Sequence, residues 1–254
     1  ANIFTTNIDL FFEKAVEKLG MEFNDGFSGR IIPAFSLSNY NKIISRCSHN
    51  LDNESRIPII NLLKVHGSLN WRYDDGKRII CSFDTSVLDT IKTVAENCKL
   101  ISIEENDNID SLVKKVNREN INEDAIVKFE SEYQKLPLVN PTKKKFAETT
   151  LNLYYYEMLR FFSNELEKET TVLYIMGFSM ADEHIREIIV RAAKNNPTLT
   201  IFIFAYDESA MCDIKSNMNN EDYHNIKYLT PTEDGFYDFE NINNLFFNAI
   251  KKSI

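Results

Sequence analysis

Short apolar runs and longer amphipathic stretches take turns along this chain. Residues 2–6 form a β-branched and apolar run that ends abruptly in polar residues, which predicts a buried strand. Leu10, Phe11, Ala15, Val16 and Leu19 then recur near a 3.6-residue period, predicting an amphipathic helix over Asp9 to Leu19 with Gly20 as its stop signal. Residues 21–60 are polar and patternless, broken by Gly26, Gly29, Pro33 and Pro58. A stretch that long is expected to pack as a small irregular lobe rather than to hang free as a loop. Leu62 to Val65 predict a second strand, and Arg78 to Phe83 a further short one in a hairpin turning at Asp74-Asp75-Gly76.

Residues 85–135 change character, being rich in Asn, Asp, Glu and Lys with Val, Ile and Leu at helical spacing, which reads as a helical insertion. The apolar run Leu136-Pro137-Leu138-Val139 leads through Asn140-Pro141-Thr142 into an expected long helix, Lys145 to Lys168. Leu151, Tyr154, Tyr155, Met158, Leu159, Phe162 and Leu166 form its apolar stripe. Strands at Thr171–Met176, Leu199–Ala205 and Ile226–Leu229 alternate with helices at Asp182–Ala193 and Glu208–Met218, and a last amphipathic helix spans Ile242 to Lys251. Strand–helix alternation with short links predicts an α/β protein, a Rossmann-like parallel sheet flanked by helices. The expected division is 1–84 for the first part of that domain, with the small lobe at 21–60, then the insertion at 85–135, then 136–254 for the second part.

Composition narrows the function classes. With 254 residues, 43% of them hydrophobic, the chain is long enough for a full core. Its net charge of −9 argues against sequence-independent binding to nucleic acid or to an anionic membrane. The basic cluster Lys143-Lys144-Lys145 is short and reads as a solvated face. Four widely spaced cysteines (Cys47, Cys81, Cys98, Cys212) form no C-x-x-C pair, so a zinc ribbon and a disulfide framework are both unexpected, and reducing cytoplasm is the expected compartment. No apolar run is long enough to span a bilayer as a helix.

Candidate chemistry gathers at strand ends, where ligands bind in parallel α/β sheets. Thr5-Thr6-Asn7-Ile8-Asp9 closes the first strand, and Val65-His66-Gly67-Ser68-Leu69-Asn70-Trp71 closes the second. An amide, a carboxylate and an imidazole there can orient a ligand amide, hold a water and accept a proton. Each also has a plain structural use, since Asn7 and Asp9 can cap the following helix and His66 can be a turn residue. A third segment, Gly177-Phe178-Ser179-Met180-Ala181-Asp182, is a strand end, a glycine turn and a helix start. Asp182 is a natural N-cap, and the amides of such a helix start favour an anion such as a pyrophosphate. Asp207, after the next strand, can bind ribose hydroxyls or cap the helix it precedes. His184 reads as structural, while His49 and His224 carry no signal.

Together these three segments resemble the sirtuin-like family, most of all its bacterial branch of NAD-consuming effectors of antiphage defence. Val139-Asn140-Pro141-Thr142 and Phe162-Ser163-Asn164-Glu165-Leu166 resemble the same branch. The resemblance implies NAD⁺ as the substrate. It assigns Asn7 to the nicotinamide ribose and the attacking water, His66 to the general base, and Asp9 to the nicotinamide carboxamide. Thr5 and Thr6 would line that pocket, Gly177 and Ser179 would approach the phosphates and ribose, and Asp207 the adenine-side ribose.

Two departures from the family pattern bear on activity. The paired C-x-x-C zinc ligands of protein-deacylating sirtuins do not occur, so no metal is expected. No G-A-G-x-S segment occurs either, although the family cradles the pyrophosphate with a glycine-rich first strand–turn–helix. Because Ala1 already lies in a strand-like run, that first unit is expected upstream of it. The resemblance further implies NAD⁺ hydrolysis to nicotinamide and ADP-ribose, restrained by assembly as a homo-oligomer or with a HerA-type ATPase or another sensor. An NAD-dependent deacylase and a non-catalytic module sensing NAD or ADP-ribose are the alternative readings.

Overall fold

A computed structural model of the chain describes residues 1–48, 53–74, 78–98, 101, 103–118, 123–139, 153–231 and 235–253. His49, the Asp75-Gly76 tip, Asn140-Pro141-Thr142, the lysine cluster at 143–145 and Leu151 lie outside the described residues. The chain divides into two compact units, Ala1–Tyr155 and Tyr156–Ile254.

The first unit is built around a parallel sheet of β1 (Asn2–Thr5), β2 (Phe23–Asn24) and β7 (Ile60–Lys64), in the order β1-β7-β2. The apolar run predicted at 2–6 thus pairs in register with the one predicted at 62–65, from Asn2 opposite Asn61 to Thr5 opposite Lys64. Between them α1 (Phe11–Lys18) ends as its glycine predicts. Gly20 takes φ +62, and Leu19, Gly20 and Met21 N–H groups close onto the last-turn carbonyls of Ala15, Glu17 and Val16. Only Val16 of this helix is buried, whereas Phe11 and Leu19 of the expected apolar stripe are exposed.

The segment read as irregular holds more order than its composition suggests. Phe23–Asn24 joins the parallel sheet as β2. The short β3 (Phe27–Ser28) and β4 (Ala34–Phe35) join β8 (Trp71–Tyr73) and β9 (Ile79–Cys81) in a four-stranded sheet, order β3-β4-β9-β8. Strands of two residues leave no periodicity to read, which is why the pattern missed β2, β3 and β4. The predicted hairpin is the antiparallel β8–β9 pair. A knot of rings covers this sheet: Phe27, Phe35, Tyr40, Trp71 and Tyr154 meet mostly edge-to-face at 5.3–6.2 Å. A separate ribbon pairs β5 (Ser45–Cys47) with β6 (Glu54–Arg56). The stretch at 85–135 is helical, with α2 (Ser86–Asn97), α3 (Ile109–Arg118) and α4 (Glu123–Tyr133).

The boundary between the units falls within α5 (Leu153–Leu166), whose Tyr155, Met158, Phe162 and Leu166 are buried as its stripe predicts. The second unit holds the parallel sheet β10 (Val172–Met176), β11 (Thr200–Phe204) and β12 (Ile226–Leu229), in that order. Central β11 buries Ile201 and Ile203 completely, while the edge strand β10 leaves Val172 and Tyr174 exposed. Helices α6 (Glu183–Asn195) and α7 (Glu208–Asn217) link the strands. The closing segment runs as α8 (Phe239–Ile242), a π-helical stretch Asn243–Phe247 and α9 (Asn248–Ser253). No helix among the described residues is long and apolar enough to cross a membrane.

Candidate active-site residues

Register fixes where the candidate residues of the first unit stand. Thr5 and Lys64 are the last paired residues of β1 and β7, and Asn7 and His66 each stand two positions beyond that pair. A parallel ladder sends both chain ends to the same edge, so the amide and the imidazole lie on adjacent strand ends of one sheet. Asn7 is exposed and His66 half-buried.

Local hydrogen bonds set the backbone around each. The buried Thr5 hydroxyl accepts the Asn7 N–H at 3.0 Å, turning the chain immediately before the amide side chain. Thr6 beside it is half-buried. Asp9 accepts the Phe11 N–H at 2.9 Å through one carboxylate oxygen, a local turn just ahead of α1, but the N-cap of that helix is Leu10 and no side chain caps it, so neither Asn7 nor Asp9 is the cap that the sequence allowed. The second oxygen of Asp9 adds acceptor capacity for a ligand. On the other strand end, the His66 carbonyl accepts the Val139 N–H at 3.1 Å, and Gly67 takes φ +87. A Cβ at Gly67 would collide with the Pro137 carbonyl, to which the buried Tyr155 hydroxyl also donates. The histidine turn is thus clasped by Leu136–Val139, and glycine follows His66 because only glycine fits there.

Beneath both loops lies a buried polar cluster that the motif reading passed over. Lys64, 2% exposed, donates to the Asp9 carbonyl, to Glu13 Oε1 at 2.8 Å and to Ser68 Oγ at 2.9 Å. Ser68 in turn donates to Asn70 Oδ1 at 2.8 Å. Burial pushes the Asp25 carboxyl above its usual range, with a smaller push from the Glu13 charge. Burial likewise pushes the Cys81 thiol up to about 12. One signal was available in the sequence: a lysine inside the apolar run Leu62-Leu63-Lys64-Val65, one residue before the expected loop.

The second unit carries the remaining residues. Gly177 takes φ +64 directly after β10, and among the described residues a Cβ there would meet nothing within 4 Å, so the turn's backbone is uncovered. Ser179 is exposed and its carbonyl accepts Asn217 Nδ2 at 2.8 Å. Met180, completely buried, holds φ +60 while its carbonyl accepts Arg186 Nη1 at 2.9 Å. A left-handed methionine stays in place only where its surroundings over-determine it, as Arg186 does here. Asp182 caps α6 through the Ile185 N–H, as predicted. Asp207 caps α7 through the Ala210 N–H at 2.7 Å, which is the plainer of its two readings. Among the described residues no three or more His, Cys, Asp or Glu side chains gather as a metal-ion site.

Parallel sheets flanked by helices, with strands that end in polar and glycine turns, define an α/β protein of the Rossmann-like kind. The chain belongs to the SIR2-like domain family, whose model matches residues 1–229. That match runs through all the sites above and ends with β12. The family is usually NAD-dependent, and NAD binding follows from membership. The comparison with curated proteins gives no match.

Proposed function

We propose that this chain is an NAD⁺ glycohydrolase, releasing nicotinamide and ADP-ribose. The observation that carries this reading is the paired placement of Asn7 and His66, each two residues beyond the Thr5–Lys64 register pair. The C–N glycosidic bond breaks with its electron pair leaving on nicotinamide, which departs neutral, so little acid catalysis is needed. Positive charge develops at the ribose anomeric carbon. What the protein must supply is a fixed ribose, a placed water and a proton acceptor. The Asn7 amide holds the water and ribose, Asp9 and the two threonines hold the carboxamide end, and His66 accepts the proton as the water adds. Gly177 and Ser179 receive the phosphates and ribose, with Asp207 toward the far ribose.

The motif likeness to the antiphage branch supports a role as a cytoplasmic effector that depletes host NAD⁺ during infection. Such an activity kills its own cell if left on, so control by self-assembly or by a HerA-type ATPase or other sensor belongs to the proposal.

The test is nicotinamide release from NAD⁺ by the full-length protein, with and without a neighbouring ATPase. His66→Ala is expected to lower turnover by about 10²–10⁴-fold, the usual worth of a general base. Asn7→Ala is expected to lower it comparably while NAD⁺ still binds. Bound NAD⁺ without turnover under any condition would turn the reading to a sensing module. Consumption of NAD⁺ only with an acetyl-lysine peptide would turn it to a deacylase.

A further inference from the structure

We propose that Lys64 is a positioning residue, a buried ammonium that fixes the Asn7-bearing loop against the His66 turn. The proposal rests on the glycohydrolase reading for its kinetic consequence, though its structural consequence stands alone. Three observations carry it. Lys64 is 2% exposed, and its three protons are directed at three different segments: the Asp9 carbonyl of the loop, Glu13 of α1 and Ser68 of the histidine turn. The Ile8 carbonyl lies 3.5 Å away and also accepts the Leu69 N–H at 3.0 Å, so the same two loops are stitched twice. Glu13 Oε2 is buried without a hydrogen-bond partner among the described residues, so the cluster is not arranged to satisfy every polar atom.

That last point separates positioning from stability. A buried ion pair with an unsatisfied oxygen is a poor stabiliser, and apolar residues of similar size often serve as well. An ammonium does what no apolar side chain can, since it draws carbonyls from residues 8 and 9 to one point. Asn7 precedes those carbonyls and His66 precedes Ser68, so Lys64 sets the separation of amide and imidazole without touching substrate. Misplacement by a fraction of an ångström is costly to a reaction that depends on a placed water.

The decisive variant is Lys64→Met with Glu13→Gln, which fills the space and leaves no uncompensated charge. Amide hydrogen exchange at residues 6–10 is expected to quicken at least about tenfold while the β1–β7 ladder stays protected. In nicotinamide release, kcat is expected to fall about 10–100-fold with KM and NAD⁺ affinity within about threefold, because the lost interaction positions rather than binds. Unchanged exchange at residues 6–10 in the folded double variant overturns the proposal, as does kcat within twofold of the parent. If the double variant does not fold, Lys64→Gln, whose single short amide cannot reach the loop, α1 and the histidine turn at once, takes its place in both measurements, and the same two results overturn the proposal. A parent without turnover defeats the glycohydrolase reading alone, and the exchange measurement then decides the role of Lys64.

Discussion

Single side chains in the first unit carry more electrostatic tension than its surface charge suggests. Asp25 is the clearest case, its carboxyl held above the usual range first by burial and then by Glu13, against the pull of the Phe27 N–H and Lys64. The folded chain therefore holds a proton at Asp25 over a pH range where the unfolded chain has lost it. Stability falls as pH rises from the unfolded value of about 3.9 through the raised folded value. Asp25→Asn removes that penalty and keeps the oxygen that accepts the Phe27 N–H at 3.1 Å. The gain in thermal midpoint over the parent is expected to be larger at pH 7 than at pH 4, and a gain independent of pH would contradict the assignment.

Between elements, buried asparagines close the end of the second unit away from its candidate site. Asn196 Nδ2 donates to the Leu166 carbonyl at 2.8 Å and the Lys168 carbonyl at 3.0 Å, while its Oδ1 accepts the Thr198 N–H at 3.1 Å. One side chain thus joins the end of α5, the end of α6 and the entry to β11. Asn225 adds a second clasp, donating to the Ala193 carbonyl at 3.1 Å. Removing a partner from a buried carbonyl costs about 1–3 kcal/mol. Asn196→Ala is therefore expected to lower unfolding free energy by about 2 kcal/mol or more in chemical denaturation, with strand content unchanged in the native baseline. At this scale the sequence was readable where elements are long. The helix starts at Asp182 and Asp207 and the stop at Gly20 came from residue type alone, because capping is a local interaction. The two- and three-residue strands of the small lobe did not, because they exist only through partners far along the chain.

Across the whole molecule the four cysteines report independently on this arrangement. Cys47 and Cys212 are exposed, Cys98 is buried with its thiol donating to the Ala125 carbonyl, and Cys81 is half-buried with its thiol pushed up to about 12. Reactivity follows thiolate fraction and access. Iodoacetamide at pH 8 is expected to label Cys47 and Cys212 in the native protein, and Cys81 and Cys98 only after unfolding. Rapid native labelling of Cys81 would mean that the cluster around Lys64 is open to water.

By itself the sequence determined the class of fold, the strand ends that carry Asn7, His66 and Gly177, and the helix caps at Asp182 and Asp207, because periodicity and capping act within a few residues of chain. It also held the likeness to the sirtuin-like family. Only the tertiary structure decided that Asn7 and His66 stand at equal offsets beyond one register pair, that Pro137 and Tyr155 dictate the glycine after His66, and that Lys64 is buried among carbonyls from a loop more than fifty residues away. Register, burial and close packing depend on which distant segments meet, and a charged residue in a strand looks the same on paper whether it faces water or the core.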